Sequence, residues 1–554
     1  MLSTLILIPL VGALVLCLWP SKLESKTAKL ISGVALVLTL GWVGLLATQF
    51  ELTTPGFQFE ELLPWVEPLG LSYRLGLDGL SLPLLAVNSL LGLVAIYITD
   101  PTLHRVRLYY VLLLVINSAV AGAFLAANLL LFFIFYELEL IPLYLLIAIW
   151  GGARRGYAAT KFLIYTALSG VLILGAFLGL VWLSGNTSFD YDSGLAAALP
   201  LAQQVTLLVA LLVGFGIKVP LFPFHTWLPD AHVEASTPVS VLLAGVLLKL
   251  GTYGVVRFGL GLLPDAWMAL APWMATWAVV SVLYGSLAAI AQTDMKKMVA
   301  YSSIGHMGYV LLAAAASTPV SIVATVFQMI SHGLISALLF LLVGVVYKTT
   351  GTRDLTVLRG LLNPERGLPF VGSMMILGVM ASAGIPGMVG FISEFLVFRG
   401  SFLIFPTQTL LCMVGSGLTA VYFLLLVNRA FFGRLAIAPP SPTPQLDPEL
   451  PRVGWRDRAP ALALAALIVT FGLQPNWLAR WSEHTTLVLH QPYQGFVVEK
   501  TPFTPATLPA TLAATPAATP AATGANTSLV APHWDRSSLV APVLADPSAE
   551  VLLP

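Results

Sequence analysis

The sequence is poor in charged residues. Only 10% of its 554 residues are charged and the formal net charge is +1, whereas a soluble domain carries roughly 25% charged residues. A soluble chain of this length needs more charge to cover its surface, and a nearly neutral chain has no field that attracts a polyanion. The shortage of charge therefore excludes a soluble enzyme, a nucleic-acid binder and a disordered protein.

Cysteine is also scarce. The two cysteines, Cys17 and Cys412, both lie inside apolar segments. They cannot supply the four thiolates of an iron–sulfur cluster, and the sequence contains no CxxC or CxxCH pattern that would bind zinc or attach haem. We therefore predict that this chain has no redox centre and that any electron transfer takes place in other chains.

Apolar residues dominate what is present. They make up 58% of the chain, with a mean hydropathy of +0.89, and they form blocks of about 20 residues, the length that crosses a bilayer as a helix. We predict an all-α polytopic membrane protein with about fourteen transmembrane helices. The first apolar run has no basic segment before it, so we expect a retained helix rather than a cleaved signal peptide. The predicted spans lie roughly at 3–19, 29–49, 78–99, 108–127, 129–150, 161–183, 203–227, 236–259, 270–292, 299–316, 321–347, 368–398, 407–432 and 460–480.

Basic residues concentrate in every second predicted loop. They include Lys22, Lys26, Arg105, Arg107, Arg154, Arg155, Lys296 and Lys297. By the positive-inside rule these loops face the cytoplasm, and an even number of spans then places both termini on the lumenal or periplasmic side. The segment 230–234 is an exception, because it lies on the basic side without being basic.

The end of the chain has a different composition. From about residue 501 it is a Pro/Ala/Thr tract, in which SLVAP occurs at 528–532 and again at 538–542, as is typical of a low-complexity tail. The predicted organisation is a three-helix segment (1–107), a first repeat (108–262), a second repeat (263–435), a basic and Pro-rich loop with the last helix (436–482), and the tail (483–554).

Several ionisable residues lie inside predicted spans, where each costs several kcal/mol to insert and so needs a reason. They are Glu137, Glu139, Lys218, Lys249, His306, His332 and Glu394. Pro220 follows Lys218, and Pro386 precedes Glu394 with glycines on either side, so both residues lie in interrupted helices. Two such interruptions favour two structurally repeated, inverted halves.

These residue types suit a proton path. Burial disfavours the charged form of a lysine, and a nearby carboxylate favours it again. A Glu–Lys pair can therefore hold or release the proton of the lysine. We expect Lys218, Lys249, the two histidines and Glu394 to form a relay across the middle of the bilayer.

A structural role is the alternative for each of these residues. Glu137 and Glu139 lie roughly 200° apart around a helix, so only one of them can face the interior, and we favour Glu137 for function while leaving the role of Glu139 open. A histidine between helices often serves only as a hydrogen-bonding group, which applies to His306 and His332. His225, Asp230 and His232 have a spacing that could suggest a metal site. No cysteine or third imidazole accompanies them, and a structural or proton-access role is favoured.

Five segments carry a resemblance to a known family. They are FYELELIPLYLLIAIWGG at 135–152, KVPLFPFHTWLPDAHVEA at 218–235, KLGTYGVVRF at 249–258, AYSSIGHMGY at 300–309 and QMISHGLISALLF at 328–340. Over about residues 70–435 the chain resembles the antiporter-like proton-pumping subunits of respiratory complex I. Glu rather than Lys at position 394 matches the chain 4 type, and the ELELIPLY form is most similar to that subunit (NdhD) of cyanobacterial and chloroplast type-I NAD(P)H dehydrogenase.

The resemblance implies a fold and a role for each residue. The fold is fourteen helices with two inverted five-helix repeats, at about 108–259 and 270–432. Glu137 and Lys218 would be the coupling pair and Lys249 the central relay lysine, with His306 and His332 as bridging groups. Glu394 would be the terminal exit group.

The resemblance also implies partners. This chain would bind no cofactor or metal, whereas the quinone, the iron–sulfur clusters and the NAD(P)H or ferredoxin donor would be handled by other subunits. Its partners would be lipid and other membrane subunits, including further antiporter-like chains, in a cyanobacterial thylakoid or plasma membrane. A paralogous complex tied to CO2 uptake stays open as the host complex.

Two alternatives remain at this point. A cation/proton antiporter subunit of the Mrp type resembles the chain over the same region, but would have Lys at position 394 and sodium-dependent transport. A non-pumping membrane scaffold would tolerate neutral residues in place of Glu137 or Lys218. Buried charges argue against the scaffold, because an inert scaffold has no use for residues so costly to insert.

Overall fold

The computed structural model describes residues 1–20, 23–54, 56–437 and 450–495. Its first helices are α1 (Ser3–Leu18), α2 (Ser25–Gln49), α3 (Ser81–Ile98), α4 (Val106–Leu125), α5 (Leu129–Leu138), α6 (Leu140–Trp150), α7 (Arg155–Leu183), α8 (Leu201–Lys218), α9 (Trp227–Glu234) and α10 (Thr237–Leu242). The later helices are α11 (Leu248–Gly254), α12 (Pro264–Ile290), α13 (Met295–Ala316), α14 (Pro319–Thr350), α15 (Pro369–Ser382), α16 (Val389–Phe402), α17 (Pro406–Phe431), α18 (Trp455–Leu473) and α19 (Asn476–His490). The Pro/Ala/Thr tract from residue 501 lies outside the described residues.

The described part of the chain contains eleven helices that are long and apolar enough to cross a membrane, or twelve if α18 and α19, which bend by 68°, count as one span. This supports a polytopic helical membrane protein, while the count is lower than the predicted fourteen. The difference comes from α1, with 16 residues, and from the broken pair α15 and α16, with 14 residues each. Each of these pieces is shorter than the roughly 20 residues that a span needs.

A β-hairpin between α2 and α3 was not predicted. Strand β1 (Gln58–Val66) pairs antiparallel with β2 (Leu71–Leu77), and a short 3₁₀ turn (Glu67–Leu69) joins them. The left-handed conformation of Gly70 (φ +66) lets the chain reverse there. Apolar residues alternate at Leu71, Tyr73, Leu75 and Leu77, which is typical of a β-strand, but seven residues are too few to form a membrane-spanning apolar block.

The predicted boundary of the tail at residue 483 falls inside a helix. Helix α19 runs from Asn476 to His490, and a 3₁₀ turn extends it to Tyr493. The His490 ring nitrogen Nδ1 lies 2.7 Å from the carbonyl oxygen of Ser317, and the hydroxyl of Thr485 accepts a hydrogen bond from the amide of Gly79. These contacts hold α19 against the rest of the protein, although its sequence is too polar to be predicted as a transmembrane helix.

Three helix breaks shape the interior. At the first, α5 ends at Leu138 and α6 begins at Leu140. Pro142 accounts for this break, since it has no N–H and its ring crowds the carbonyl of Leu138 four residues earlier. The other two breaks separate α8 from α9 and α15 from α16, as the prolines and glycines of these segments predict.

A long segment in the centre of the protein also departs from regular α-helix. Between Thr237 and Leu260, two π-helical stretches (Leu243–Leu247 and Val255–Leu260) flank α11, which carries Lys249. The most apolar part of this segment is entirely buried. π-Helical turns leave carbonyls without their usual partners and are frequent at functional sites.

A buried ion pair links this segment to the start of α3. The guanidinium of Arg257 donates to Asp78 Oδ2, and both side chains are almost completely buried. The other carboxylate oxygen of Asp78 accepts from the amides of Leu80 and Ser81. The rings of Phe57, Tyr191 and Tyr253 surround the guanidinium at 5.1–5.6 Å from their centroids. The pair is thus fully satisfied, as a structural ion pair must be.

We expect Asp78→Ala to destabilise the protein by about 3–5 kcal/mol, because it leaves the Arg257 charge buried without a partner. Thermal unfolding of the detergent-purified protein, alone or in its complex, measures the loss. Glu60→Ala is the matched control, since Glu60 pairs with Arg74 at the surface and such pairs contribute about 0–1 kcal/mol. Equal unfolding midpoints for the two variants would contradict this role.

The acidic exception at 230–234 has a local explanation. Lys161 Nζ donates to Asp230 Oδ2 at 2.8 Å, and the Glu234 carboxylate accepts from the backbone amide of Arg154 at 2.9 Å. The Arg154 side chain lies 3.8 Å from the same carboxylate. Basic residues of the preceding basic loop and of α7 therefore neutralise these two acids.

Candidate functional site

Lys218 ends α8 at the break between α8 and α9, and only 3% of its side chain is exposed. Pro220 has no N–H to continue the helix, and the amide of Leu221 donates to the carbonyl of Gly216 at 2.9 Å instead. The indole N–H of Trp227, from the HTWLP motif, donates to the carbonyl of Ile217 at 2.8 Å. This hydrogen bond holds the start of α9 against the end of α8 and so fixes the position of Lys218.

The ammonium of Lys218 forms an ion pair with the carboxylate of Glu139. It also donates to the carbonyl of Tyr136 at 3.3 Å and lies 3.5 Å from the centroid of the Tyr136 ring. The Tyr136 hydroxyl is 3.0 Å from that of Ser169, which donates to the carbonyl of Gly214. The lysine is thus held by groups from α5 and from the turn that follows it.

The predicted pairing of Glu137 with Lys218 is not found: the structure forms the ion pair with Glu139. Glu137 is only partly buried and lies against α7, where a Cβ atom on Gly170 would come within 2.3 Å of its Oε1. Glu137 nevertheless interacts electrostatically with both Lys218 and Glu139. Which of the two glutamates faces α8 was predicted wrongly, since the turn at Leu138–Leu140 directs Glu139 to the lysine.

Lys249 and His332 are in direct contact in the middle of the protein. Lys249 Nζ donates to the carbonyl of Ala244 at 2.6 Å and lies 2.7 Å from His332 Nδ1. Ala244 belongs to the first π-helical stretch, whose altered geometry leaves this carbonyl available. Among the described residues, His332 Nε2 has no hydrogen-bond partner.

His306 connects His332 to Glu394. The two imidazole rings lie 5.7 Å apart between centroids, and His306 Nδ1 is 3.7 Å from Glu394 Oε1. The other nitrogen, Nε2, is 3.0 Å from the hydroxyl of Ser382, at the end of α15. Ser416 in α17 donates to the second oxygen of Glu394 at 2.6 Å.

The break between α15 and α16 makes this arrangement possible. Gly384 and Gly387 adopt left-handed conformations, with φ values of +70 and +91, which glycine alone adopts at little cost. A small cavity of about 10 Å³ lies between His306, His332 and Glu394. Serine and glutamine side chains also line it, and its volume is close to the lower limit for one water molecule.

The relay residues form two groups. Lys249, His332, His306 and Glu394 follow one another closely, with the rings of His332 and His306 5.7 Å apart between centroids. No hydrogen bond, ion pair or ring contact in the described part of the chain joins Lys218 to Lys249. The helices that carry the two lysines are nevertheless packed together. A Cβ atom on Gly251 would come within 2.8 Å of Val219, so these two backbones approach closely next to the lysines.

His225 and His232 have separate aromatic environments. The ring of His225 packs on Phe222 and Tyr284, and the ring of His232 stacks on Phe340 with centroids 4.3 Å apart. Within the described ranges, no group of three His, Cys, Asp or Glu side chains could hold a metal ion.

A cavity of about 490 Å³ opens near the other end of α9, on the side of the basic loops. Glu234, Lys296 and Lys348 are among the residues that line it. Lys296 is almost fully buried and donates to the carbonyl of Ala235 at 2.6 Å.

Sequence reasoning missed Asp78, Arg257 and the orientation of Glu139. Arg257 stood inside a predicted span and carried the same signal as Lys249, namely a charge in an apolar segment. It was not selected because it lies close to the end of the predicted span, where a long charged side chain can reach the membrane interface. Asp78 stood at the very edge of a predicted span.

The chemistry of the site follows from these contacts. Two lysines, two histidines and two glutamates lie inside an apolar helical protein, and most of them touch another titratable group. Such groups can pass protons along their contacts or through an intervening water, and they bear charge only at the cost of desolvation. Broken helices around a buried charged centre are typical of ion-translocating membrane proteins.

The chain belongs to the family described as "NADH:quinone oxidoreductase/Mrp antiporter, TM", whose model matches residues 126–419. Among its relatives, NAD(P)H-quinone oxidoreductase chain 4-2 of Synechocystis sp. is 43% identical over 439 residues, which cover 78% of each chain. NAD(P)H-quinone oxidoreductase chain 4 2 of Thermosynechococcus vestitus is 39% identical over 505 residues, covering 89% of this chain and 92% of the relative.

Solved structures share the fold. A chain of respiratory complex I from Thermus thermophilus with bound NADH superposes with a TM-score of 0.78 at 26% identity, covering 89% of this chain and 99% of that chain. A chain of the Mrp complex from Dietzia sp. gives a TM-score of 0.76 at 21% identity, covering 90% of this chain and 99% of that one. Because the identity to the Mrp chain is only 21%, this similarity shows a shared fold and nothing about function.

Proposed function

We propose that this chain is a proton-translocating membrane subunit of a type-I NAD(P)H or ferredoxin:quinone oxidoreductase. The observation that carries the proposal is the close succession of Lys249, His332, His306 and Glu394 inside the protein, with the small cavity between the last three. The relatives named as chain 4 of NAD(P)H-quinone oxidoreductase support the choice of complex.

In this proposal the proton relay has two parts. Lys218, with its carboxylate partner, controls the delivery of charge to Lys249, and the series from Lys249 to Glu394 carries the proton onward. The gap between the two lysines separates the parts. A proton crosses it when water or a side-chain movement connects them, so the gap serves as a control point.

The finer architecture belongs to the same proposal. With α1 and the broken pair α15–α16 counted as spans, and α18–α19 as one, the described part of the chain crosses the membrane fourteen times in this proposal. Two five-helix repeats each contain a broken fourth member, α8–α9 in the first and α15–α16 in the second. The organisation into 1–107, 108–262, 263–435 and 436–482 follows these repeats, and both termini face the lumen or periplasm.

The remaining chemistry lies in other subunits. Quinone, the iron–sulfur clusters and the electron donor bind there, and this chain supplies only proton transfer. Further antiporter-like subunits and lipid are its neighbours in a thylakoid or plasma membrane. Mass spectrometry of the intact complex tests this membership: iron–sulfur subunits are expected, and a set of Mrp-type subunits alone would contradict it.

We expect Glu394→Gln to lower proton translocation by roughly tenfold or more. The amide keeps the size of the side chain and can still accept from Ser416, but it cannot take up a proton. The measurement is proton uptake by vesicles that contain the purified complex, during quinone reduction and per assembled complex.

Glu483→Gln is the matched control, because Glu483 is exposed on α19 and has no part in the relay. Its proton uptake should equal that of the unaltered complex. If Glu394→Gln behaved like Glu483→Gln, the exit role of Glu394 would be refuted.

A further inference from the structure

A groove opens on the surface of the protein between the end of α1 and the start of α4. Its volume is about 450 Å³, and two arginines, Arg105 and Arg107, line it. The rest of its lining is apolar and consists of Cys17, Leu23, Val106, Leu108 and Val111. Within the part of the chain that the structure describes, no acidic residue lines this groove. It therefore combines an apolar wall with positive charge alone.

The outer face of α1 extends this apolar wall. Leu7, Val11, Leu14 and Leu18 are each more than half exposed, and their spacing of three and four residues places them on one face of the helix. Cys17, which lines the groove, is three residues from Leu14 and so lies beside it. The groove thus continues into an exposed apolar face along α1, of the kind that lipid tails cover in a membrane.

The two arginines keep hydrogen-bond donors available for a ligand. Arg107 donates from Nη2 to the carbonyls of Trp19 and Pro20, at 2.8 and 3.3 Å. These bonds hold its guanidinium at the end of α1 but occupy only one of its three nitrogen atoms. The side chain of Arg105 is exposed, and no other described residue forms an ion pair or hydrogen bond with it.

Membrane topology alone accounts for basic residues in this loop, since it requires positive charge on the cytoplasmic side. It does not require that two guanidinium groups line an apolar groove, or that most of their donors lack a partner within the chain. An anionic lipid fits both features. Its phosphate matches the planar fork of an arginine, its tails match the apolar wall, and the leaflet at the basic loops is the one that carries a negative surface potential.

We propose that this groove binds an anionic phospholipid of the leaflet at the basic loops. The phosphate lies at Arg105 and Arg107, and an acyl chain lies along the apolar lining toward Leu14. None of the lining residues belongs to the proton relay, so this lipid site goes beyond the proposed function and does not depend on it.

Photoactivatable lipids test the site in the complete complex. The purified complex is placed in phosphatidylcholine vesicles at low salt, with a small fraction of photoactivatable phosphatidylglycerol or of photoactivatable phosphatidylcholine that has the same acyl chains. After illumination, peptide mass spectrometry measures the lipid attached to the peptides of α1 and of the start of α4. This reading does not involve proton pumping, so failure of the lipid site and failure of the proposed function are distinguishable.

We expect phosphatidylglycerol to label these peptides about tenfold more than phosphatidylcholine, because each basic residue near the membrane surface strengthens the binding of anionic lipid by about fivefold. Arg105→Gln should therefore lower this preference by about fivefold, whereas Arg105→Lys should keep most of it. Arg155→Gln is the matched control. Arg155 is exposed at the start of α7 on the same side of the membrane and does not line the groove, so the preference should be unchanged.

Equal labelling by the two lipids in the unaltered complex would overturn the proposal, and this comparison needs no variant to fold. Absence of label from both lipids would also overturn it, because another subunit would then cover the groove. The same preference in Arg105→Gln as in Arg155→Gln, at equal assembly, would contradict recognition of the headgroup by Arg105.

Discussion

Lys218→Met abolishes proton translocation by the assembled complex, with an expected decrease of at least about tenfold. Methionine keeps the apolar stem of the side chain but can neither bind nor release a proton. Lys218 is the only relay residue in contact with the ELEL turn, through Glu139 and Tyr136, so no neighbouring group can replace it there. The measurement is the initial rate of proton uptake by vesicles, divided by the amount of assembled complex.

Lys26→Met provides the comparison. Lys26 is an exposed lysine near the start of α2, and its replacement removes the same charge without touching the interior. Its proton uptake should be unchanged. Normal pumping by the Lys218→Met complex would refute the role of this lysine and would favour a non-pumping scaffold.

Lys249→Met should stop proton translocation to the same degree, because Lys249 is the first member of the group that leads through His332 and His306 to Glu394. Its ammonium touches His332, and only 1% of the side chain is exposed. No solvent can replace the lost group. We expect loss of proton uptake while the complex still assembles.

Lys249→Arg separates charge from proton transfer. Arginine keeps the positive charge but does not release its proton in a protein. A relay therefore predicts loss of pumping in Lys249→Arg as well as in Lys249→Met, at equal assembly. If Lys249→Arg pumped normally, Lys249 would act only through its charge, and the relay through His332 would be wrong.

The sequence alone was sufficient for the parts of the site that depend on composition. A charge inside an apolar span is costly wherever it lies, so Lys218, Lys249 and Glu394 were recognisable without any structure. The breaks were equally predictable, because Pro220 and the glycines around Pro386 disrupt helices by local sterics.

The partner of Lys218 could not be predicted in this way. Helical periodicity shows that Glu137 and Glu139 point in opposite directions, but it does not show which direction leads to α8. That depends on the turn at Leu138–Leu140 and on how α5 packs, which are properties of the folded protein. A family resemblance pointed to Glu137, and the structure forms the contact with Glu139.

Long-range pairs were missed for a related reason. Asp78 and Arg257 are 179 residues apart in the chain, and no local pattern links them. The β-hairpin was not predicted because the sequence was divided into apolar blocks of about 20 residues. Over that length, the alternation of apolar and polar residues in a seven-residue strand is averaged out.

The number of protons translocated per quinone reduced is the most direct test of the central claim. It should be measured in the same vesicles for the unaltered complex, for Lys26→Met and for Lys218→Met, with electron transfer and proton uptake recorded together. A relay through this chain predicts that the ratio stays unchanged in Lys26→Met and falls in Lys218→Met. An unchanged ratio in Lys218→Met, at unchanged quinone reduction, would contradict the account.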